Sequence, residues 1–216
     1  MSYRERYNYW LNSPYFDEET KKELLAVSGD EKEIEDRFYR DLEFGTGGMR
    51  GIIGAGTNRI NRYTVRRAAQ GLANTVLKQP GAKEKGIVIA YDSRRFSREF
   101  ALDSALVFAA NGIKAYLFES LRPTPELSFA VRHLGCAAGV VITASHNPKE
   151  YNGFKTYGSD GGQMPPHETD KVIQEVNSIS DIASIPIISE DEAKSKGLLR
   201  IIGREVDDAY IEAVKK

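Results

Sequence analysis

The sequence predicts an α/β fold: a three-layer α/β/α domain with a mostly parallel sheet, preceded by a helical arm. Two patterns point to it. Short apolar runs begin at Gly86, Ile113 and Ala138, and an apolar-periodic helical stretch separates each from the next. Asn111-Gly112 and Gly135 close those two stretches where a helix should stop. Strand, helix, strand, helix, strand at this spacing implies parallel pairing with right-handed crossovers. A chain of 216 residues can bury roughly 70% of its unfolded surface, so such a core needs no disulfide or metal.

Taken in order, residues 1–43 read as a polar helical arm packed on the domain. Asp17 is positioned to cap a helix through Lys22, Leu24 and Leu25 that stops near Ser28-Gly29. Asp30 with Glu33 resembles a capping box, with Ile34, Arg37, Phe38 and Leu42 following on one face. Trp10 and Phe16 are expected as packing anchors. Next, Phe44-Gly45-Thr46-Gly47-Gly48-Met49-Arg50-Gly51 is a glycine turn at a strand. A helix over Tyr63–Lys78 buries Val65, Ala68, Ala69, Leu72, Val76 and Leu77, and Gln79-Pro80-Gly81 stops it. Gly86–Tyr91 is the first buried strand, with Ser97 as the expected cap of the helix after it. Ile113–Phe118 is the second strand, and Thr124-Pro125 is the expected cap and first-turn proline of its helix. Ala138–Thr143 is the third. Phe154–Tyr157 is a further strand ending in the tight turn Ser159-Asp160-Gly161-Gly162, and a helix follows from Pro166. Residues 178–197 read as polar and irregular, before a strand at Leu198–Ile202 and a helix from about Val206.

Composition narrows the function classes. The net charge of -1 gives no global basic field for nucleic acid or a membrane surface. The first residues, Met-Ser-Tyr-Arg-Glu-Arg, lack the apolar stretch of a signal peptide, so cytoplasm is the expected compartment. The single cysteine, Cys136, excludes an intrachain disulfide and reads as a small buried residue. Cys/His ligand spacings and a clustered Asp-x-Asp are absent, so a bound metal would take at most one ligand here, a serine or phosphoserine oxygen.

The chemistry concentrates in Thr143-Ala-Ser-His-Asn-Pro148 and Tyr151-Asn-Gly-Phe-Lys155. A buried strand delivers Ser145 to a loop at its C-terminal end, where open α/β sheets bind ligands. A hydroxyl, an imidazole, an amide and an ammonium there suit the handling of a phosphate, or phosphorylation of the hydroxyl itself. Asp92, Ser93, Arg94 and Arg95 follow the first strand and Arg122 the second, and guanidinium pairs bidentately with phosphate oxygens. His146 is a poor base for its neighbour, since adjacent side chains point apart in extended backbone; it suits a phosphate contact or loop orientation. Lys155 is either an acid/base of lowered pKa or a fixed charge. His133 and His167 read as surface residues. No Gly-x-Ser-x-Gly elbow supports a hydrolase. The Gly45–Gly51 stretch has Arg50 where a dinucleotide motif needs glycine; it is either a structural turn or an anion nest that aims Arg50.

These motifs, with Ala90-Tyr-Asp-Ser-Arg94 and Arg122-Pro-Thr-Pro-Glu126, resemble the first domain of the α-D-phosphohexomutases, bacterial phosphoglucomutase/phosphomannomutase of the longer, phosphopentomutase-like branch. The resemblance implies an intramolecular phosphotransferase. In it Ser145 is carried as phosphoserine, Lys155 is the acid/base or charge-stabilising residue, and His146 joins them as a catalytic phosphate contact. Arg50, Thr46, Asn147 and Arg94 become the substrate- or phosphate-binding set. The implied cofactors are Mg²⁺, bound through the phosphate on Ser145, and a hexose 1,6-bisphosphate. The implied partners are hexose phosphates and the remaining three domains of the same polypeptide. Residues 44–205 are then the phosphoserine-bearing domain, with 206–216 the start of a connection, and the chain alone is expected to be inactive. The competing expectation is a non-catalytic sugar-phosphate or phosphate-binding module.

Overall fold

The computed structural model describes residues 1–215. Its arm is α1 (Tyr3–Asn12), α2 (Glu18–Ala26) and α3 (Glu31–Phe38). There follow β1 (Phe44–Gly45), β2 (Gly48–Ile52), α4 (Arg62–Val76), α5 (Ala82–Lys85), β3 (Ile87–Tyr91), α6 (Ser97–Ala110), β4 (Ala115–Phe118), α7 (Thr124–His133), β5 (Ala138–Ile142) and β6 (Tyr151–Gly158). The chain continues through α8 (Pro166–Ser178), a 3-10 turn (Ile182–Ser184), α9 (Glu190–Ser195), β7 (Leu199–Ile202) and α10 (Arg204–Val214).

One mixed sheet runs β1-β2-β6-β5-β3-β4-β7. The expected βαβαβ core is its parallel half, β5-β3-β4, extended by parallel β7. The other half is antiparallel: β6 pairs with β5, β2 with β6 and β1 with β2. Helices cover both faces, so β3 and β5 are buried along their whole length. Period-two alternation sorts their side chains. Ile87, Ile89, Val140 and Ile142 join Leu72, Val76 and Phe108 on one face, whereas Val88, Ala90 and Val141 join Leu127, Val131 and Val206 on the other. Cys136 is buried, and burial pushes its thiol up to about 12, so it is inert at neutral pH.

The arm has its own cluster. Trp10 stacks on Phe16 with ring centroids 4.2 Å apart, and Tyr63 of α4 closes the group edge-on to both. The anchoring expected of Trp10 and Phe16 is therefore aromatic packing.

Several start and stop expectations need correcting. Asp30 caps α3 through the Glu33 amide, but Glu33 does not reciprocate: its carboxylate is taken by Arg37 at 2.8 Å and Arg59 at 3.4 Å. Leu42 lies beyond the end of α3, where it packs on the main core. Ser97 is the first residue of α6 rather than its cap, and its hydroxyl donates to Asp92 Oδ1 at 2.8 Å instead. Pro123, not Thr124, occupies the cap position of α7. Residues 178–197 are not irregular throughout. Ser189 caps α9, and buried Ile185 and Ala193 attach the segment to the core; within α9 only Ala193 is apolar, which leaves no helical period to read.

Helix α10 docks on α7 through an ion cluster with a titratable member. Asp207 takes Arg122 bidentately at 2.6 Å on both arms, and Glu126 is buried beside them with Oε1 lacking a hydrogen-bond partner. Burial, then the Asp207 carboxylate, push Glu126 up from 4.5 to about 7. A raised carboxyl pKa means the folded state holds the proton more tightly than the unfolded chain. The stability is therefore fully present below about pH 4.5 and lost as pH rises through about 7. Glu126→Gln, a mimic of the protonated form, should flatten that dependence. We expect its melting temperature to match wild type near pH 5 and to exceed it at pH 8 by a few degrees, about 1–2 kcal/mol, in a thermal melt series across pH.

Candidate active site

The central loop leaves β5 at Thr143 and returns to the sheet at Tyr151. Strands β5, β6 and β2 lie side by side, with Val141 opposite Lys155 and Gly153 opposite Arg50. Two glycines permit this closeness. A Cβ on Gly153 would sit 2.6 Å from the Thr143 carbonyl oxygen and 2.8 Å from that of Met49, and one on Gly48 (φ +125°) would run into the Phe154 carbonyl.

Ser145 is exposed at the head of the loop and holds a left-handed backbone, φ 53°, unusual for a residue with a Cβ. Lys155 Nζ reaches up from β6 and donates to Ser145 Oγ at 2.6 Å. Arg50 Nη1 donates to Asn147 Oδ1 at 2.7 Å. Burial, and then the charge of Arg50, hold the Lys155 ammonium below the usual lysine range. The structure thus brings Ser145, Lys155, Arg50 and Asn147 together.

Other expected site residues stand differently. Arg94 is not available to a phosphate. Its guanidinium donates to the carbonyls of Ser145 at 2.8 Å, Asn147 at 2.7 Å, Pro148 at 2.8 Å and Tyr151 at 3.0 Å, and its Nε lies 3.5 Å from Asp92. With those donors committed it is a clamp on the loop, a role its planar fork suits. Arg122 is likewise occupied by Asp207, away from the serine. His146 and Thr46 are exposed, the first on the loop and the second in the β1–β2 turn. His133 stacks on Phe129, and His167 is exposed on α8.

Sequence reasoning missed a set of polar residues beneath the loop. Thr143 Oγ1 donates to Asp92 Oδ2 at 2.6 Å and accepts from the Ser145 amide at 3.0 Å. Asn152 Nδ2 donates to Ser97 Oγ at 3.0 Å, and Asn152 is fully buried. One signal was available. Asp-x-Arg directly after a strand favours an Asx turn, and Asp92 Oδ1 does accept the Arg94 amide at 3.0 Å.

The residues present do not make a metal site. Among the described residues no three His, Cys, Asp or Glu side chains converge, and the charged neighbour of Ser145 Oγ is the Lys155 ammonium, with Arg50 beyond it. That arrangement is suited instead to stabilising negative charge on or next to the hydroxyl.

Fold and loop together define a three-layer α/β/α domain with a cation-flanked serine at the carboxyl edge of its sheet. The model for "Phosphoglucomutase/phosphomannomutase, alpha/beta/alpha domain I" matches residues 41–183, and the chain belongs to the phosphoglucomutase/phosphomannomutase family. It is similar to the phosphoglucomutase of Staphylococcus haemolyticus, 41% identical over 180 residues, covering 83% of this chain and 32% of the relative. Against the phosphoglucomutase of Staphylococcus saprophyticus the figures are 40% over 185 residues, 86% and 33%. A Thermus thermophilus crystal structure described as a phosphomannomutase superposes with a TM-score of 0.59 at 34% identity, over 63% of this chain and 30% of that one. The chain spans about a third of the length of the curated relatives it matches.

Proposed function

We propose that the chain is the phosphoserine-bearing part of a phosphosugar mutase that interconverts glucose 1-phosphate and glucose 6-phosphate through a hexose 1,6-bisphosphate. The observation that carries this reading is the 2.6 Å contact of Lys155 Nζ with the Oγ of a backbone-strained, exposed Ser145. In the forward step the Oγ–P bond of phosphoserine breaks and a bond forms between phosphorus and a sugar hydroxyl oxygen. The hydroxyl proton passes to water, the departing Oγ takes a proton from Lys155, and solvent returns one to the Lys155 amine. The bisphosphate then turns over and returns its other phosphoryl group to Oγ. In this reading Arg50 and Asn147, joined by a 2.7 Å hydrogen bond, contact the group in transfer, and His146 and Thr46 are the exposed candidates around it. Mg²⁺ belongs to the proposal only as an ion bound to an oxygen of the phosphorylated serine, because this chain's donors do not complete a site for it.

The phosphoserine domain is residues 44–205 in this reading. Taken alone, the chain should turn over sugar phosphates poorly, since about two thirds of the length of its relatives lies outside the match. A cytoplasmic enzyme acting on hexose phosphates is the setting proposed. The test is to incubate the chain with glucose 1,6-bisphosphate and measure its intact mass. Gain of one phosphoryl group, mapped to Ser145 and absent in Ser145→Ala, is expected. A chain that binds sugar phosphate yet never gains the group is a binding module, and the proposal fails.

A further inference from the structure

We propose that Asp92 and Thr143 are positioning residues that set the Ser145 hydroxyl in place, through two hydrogen bonds in series that end on the Ser145 amide. The catalytic consequence rests on the phosphoryl-carrier reading of Ser145. The relay itself rests on geometry.

A left-handed backbone at a residue with a Cβ is unfavourable and persists only where the surroundings over-determine it. At Ser145 they act from both sides of the residue. Arg94 holds the carbonyl, and Thr143 Oγ1 holds the amide at 3.0 Å. The direction of the second bond is fixed by proton count. The Thr143 hydroxyl has one proton, and it is committed to Asp92 Oδ2 at 2.6 Å. Only acceptor capacity remains on Oγ1, so it faces the Ser145 N–H. Asp92 is immobilised in turn, because Oδ1 accepts the Ser97 hydroxyl at 2.8 Å and the Arg94 amide at 3.0 Å. From Ser97 the network continues to Asn152 Nδ2 at 3.0 Å, while Asn152 Oδ1 accepts the Gly153 amide at 2.8 Å. Asn152 and Gly153 belong to β6, the strand that carries Lys155. One carboxylate therefore ties down both halves of the Lys155–Ser145 contact: the loop through Thr143, and the strand through Ser97 and Asn152. Small displacements at a reacting atom are costly to rate, which gives a part-buried relay beneath an exposed hydroxyl its use.

Thr143→Val keeps the shape and removes both hydrogen bonds; Thr143→Ser keeps both. Asp92→Asn keeps the size and turns one acceptor into a donor. Two readouts are taken on the chain: the rate at which Ser145 gains a phosphoryl group from glucose 1,6-bisphosphate, and hydrogen exchange at the Ser145 amide. With Thr143→Val the uptake should slow, and the Ser145 amide should exchange faster, each by about tenfold or more, as expected for losing an oriented hydrogen bond. Amides of β3 and β5 should be unchanged. Asp92→Asn should shift both readouts in the same direction, and Thr143→Ser should stay close to wild type on both. Unaltered exchange and uptake in Thr143→Val would overturn the proposal, as would a Thr143→Ser variant as impaired as the valine. If wild type never gains the group while exchange behaves as expected, the carrier reading fails and the relay stands.

Discussion

Replacing Lys155 with methionine should slow phosphoryl arrival at Ser145 by about 10²- to 10³-fold, the range expected for losing a proton-transfer group and its charge together. Lys155 Nζ is the side-chain group that donates to Oγ, at 2.6 Å. Without it, charge developing on that oxygen has no donor aimed at it. The melting temperature should hold or rise. The folded pKa of Lys155 is lowered, by burial first and Arg50 second, so the folded state holds this proton less tightly than the unfolded chain does. Charged Lys155 therefore opposes folding below its folded pKa, and the penalty fades above it. Methionine removes that penalty at neutral pH. Lys155→Arg separates the two roles left open by the sequence: it keeps the charge but releases no proton at accessible pH. If its uptake matches wild type, Lys155 acts as a fixed charge; if it matches methionine, Lys155 moves a proton. The pH–rate profile supplies a further check. If Lys155 moves a proton, uptake should fall on the acid side of a limb below the usual lysine range, because Lys155 must be neutral to accept the Oγ proton; a fixed charge would give loss on the alkaline side instead. In either case Arg50→Gln should move the limb upward by removing a neighbouring positive charge.

The parallel core and the serine loop were legible for specific physical reasons. Strands β3 and β5 are buried on both faces, so they appear as unbroken apolar runs, and Asn111-Gly112 and Gly135 end the helices between them where a left-handed residue is needed. The antiparallel half was less visible. Strand β6 mixes Asn152, Lys155 and Thr156 with Phe154 and Tyr157. Asn152 and Lys155 serve the loop and not the core, and that breaks the alternation that marks a strand. The same conflict explains Ser97. Its position before a helical stretch reads as a cap, yet the nearby Asp92 carboxylate is a stronger partner than the helix amides. The sequence alone does not assign Arg94, because arginine near a serine loop suits a phosphate and a set of backbone carbonyls equally well. The choice depends on where the loop carbonyls point, which is a tertiary matter.

That choice leads to the second large effect. Arg94→Lys should cut phosphoryl uptake at Ser145 by about 10²-fold while lowering the melting temperature by less than about 10 °C. The guanidinium meets four carbonyls, of Ser145, Asn147, Pro148 and Tyr151, at 2.7–3.0 Å. An ammonium is a point with three donors and cannot span that arc, so at least one carbonyl, and by geometry two, lose their partner. In a sealed core each lost charge-assisted bond would cost about 1.5–3 kcal/mol. Here the loop is at the surface and water can replace the missing donors, so the global cost should stay near about 2 kcal/mol. The local cost is larger, because Ser145 loses one of the two supports of its φ of 53°. Relaxation toward an ordinary backbone would swing Oγ away from Lys155. Rate should therefore fall much further than stability, and hydrogen exchange should quicken across residues 145–151 but not in β3. An Arg94→Lys chain that gains its phosphoryl group at the wild-type rate would mean that the carbonyl clamp contributes nothing to the reacting geometry.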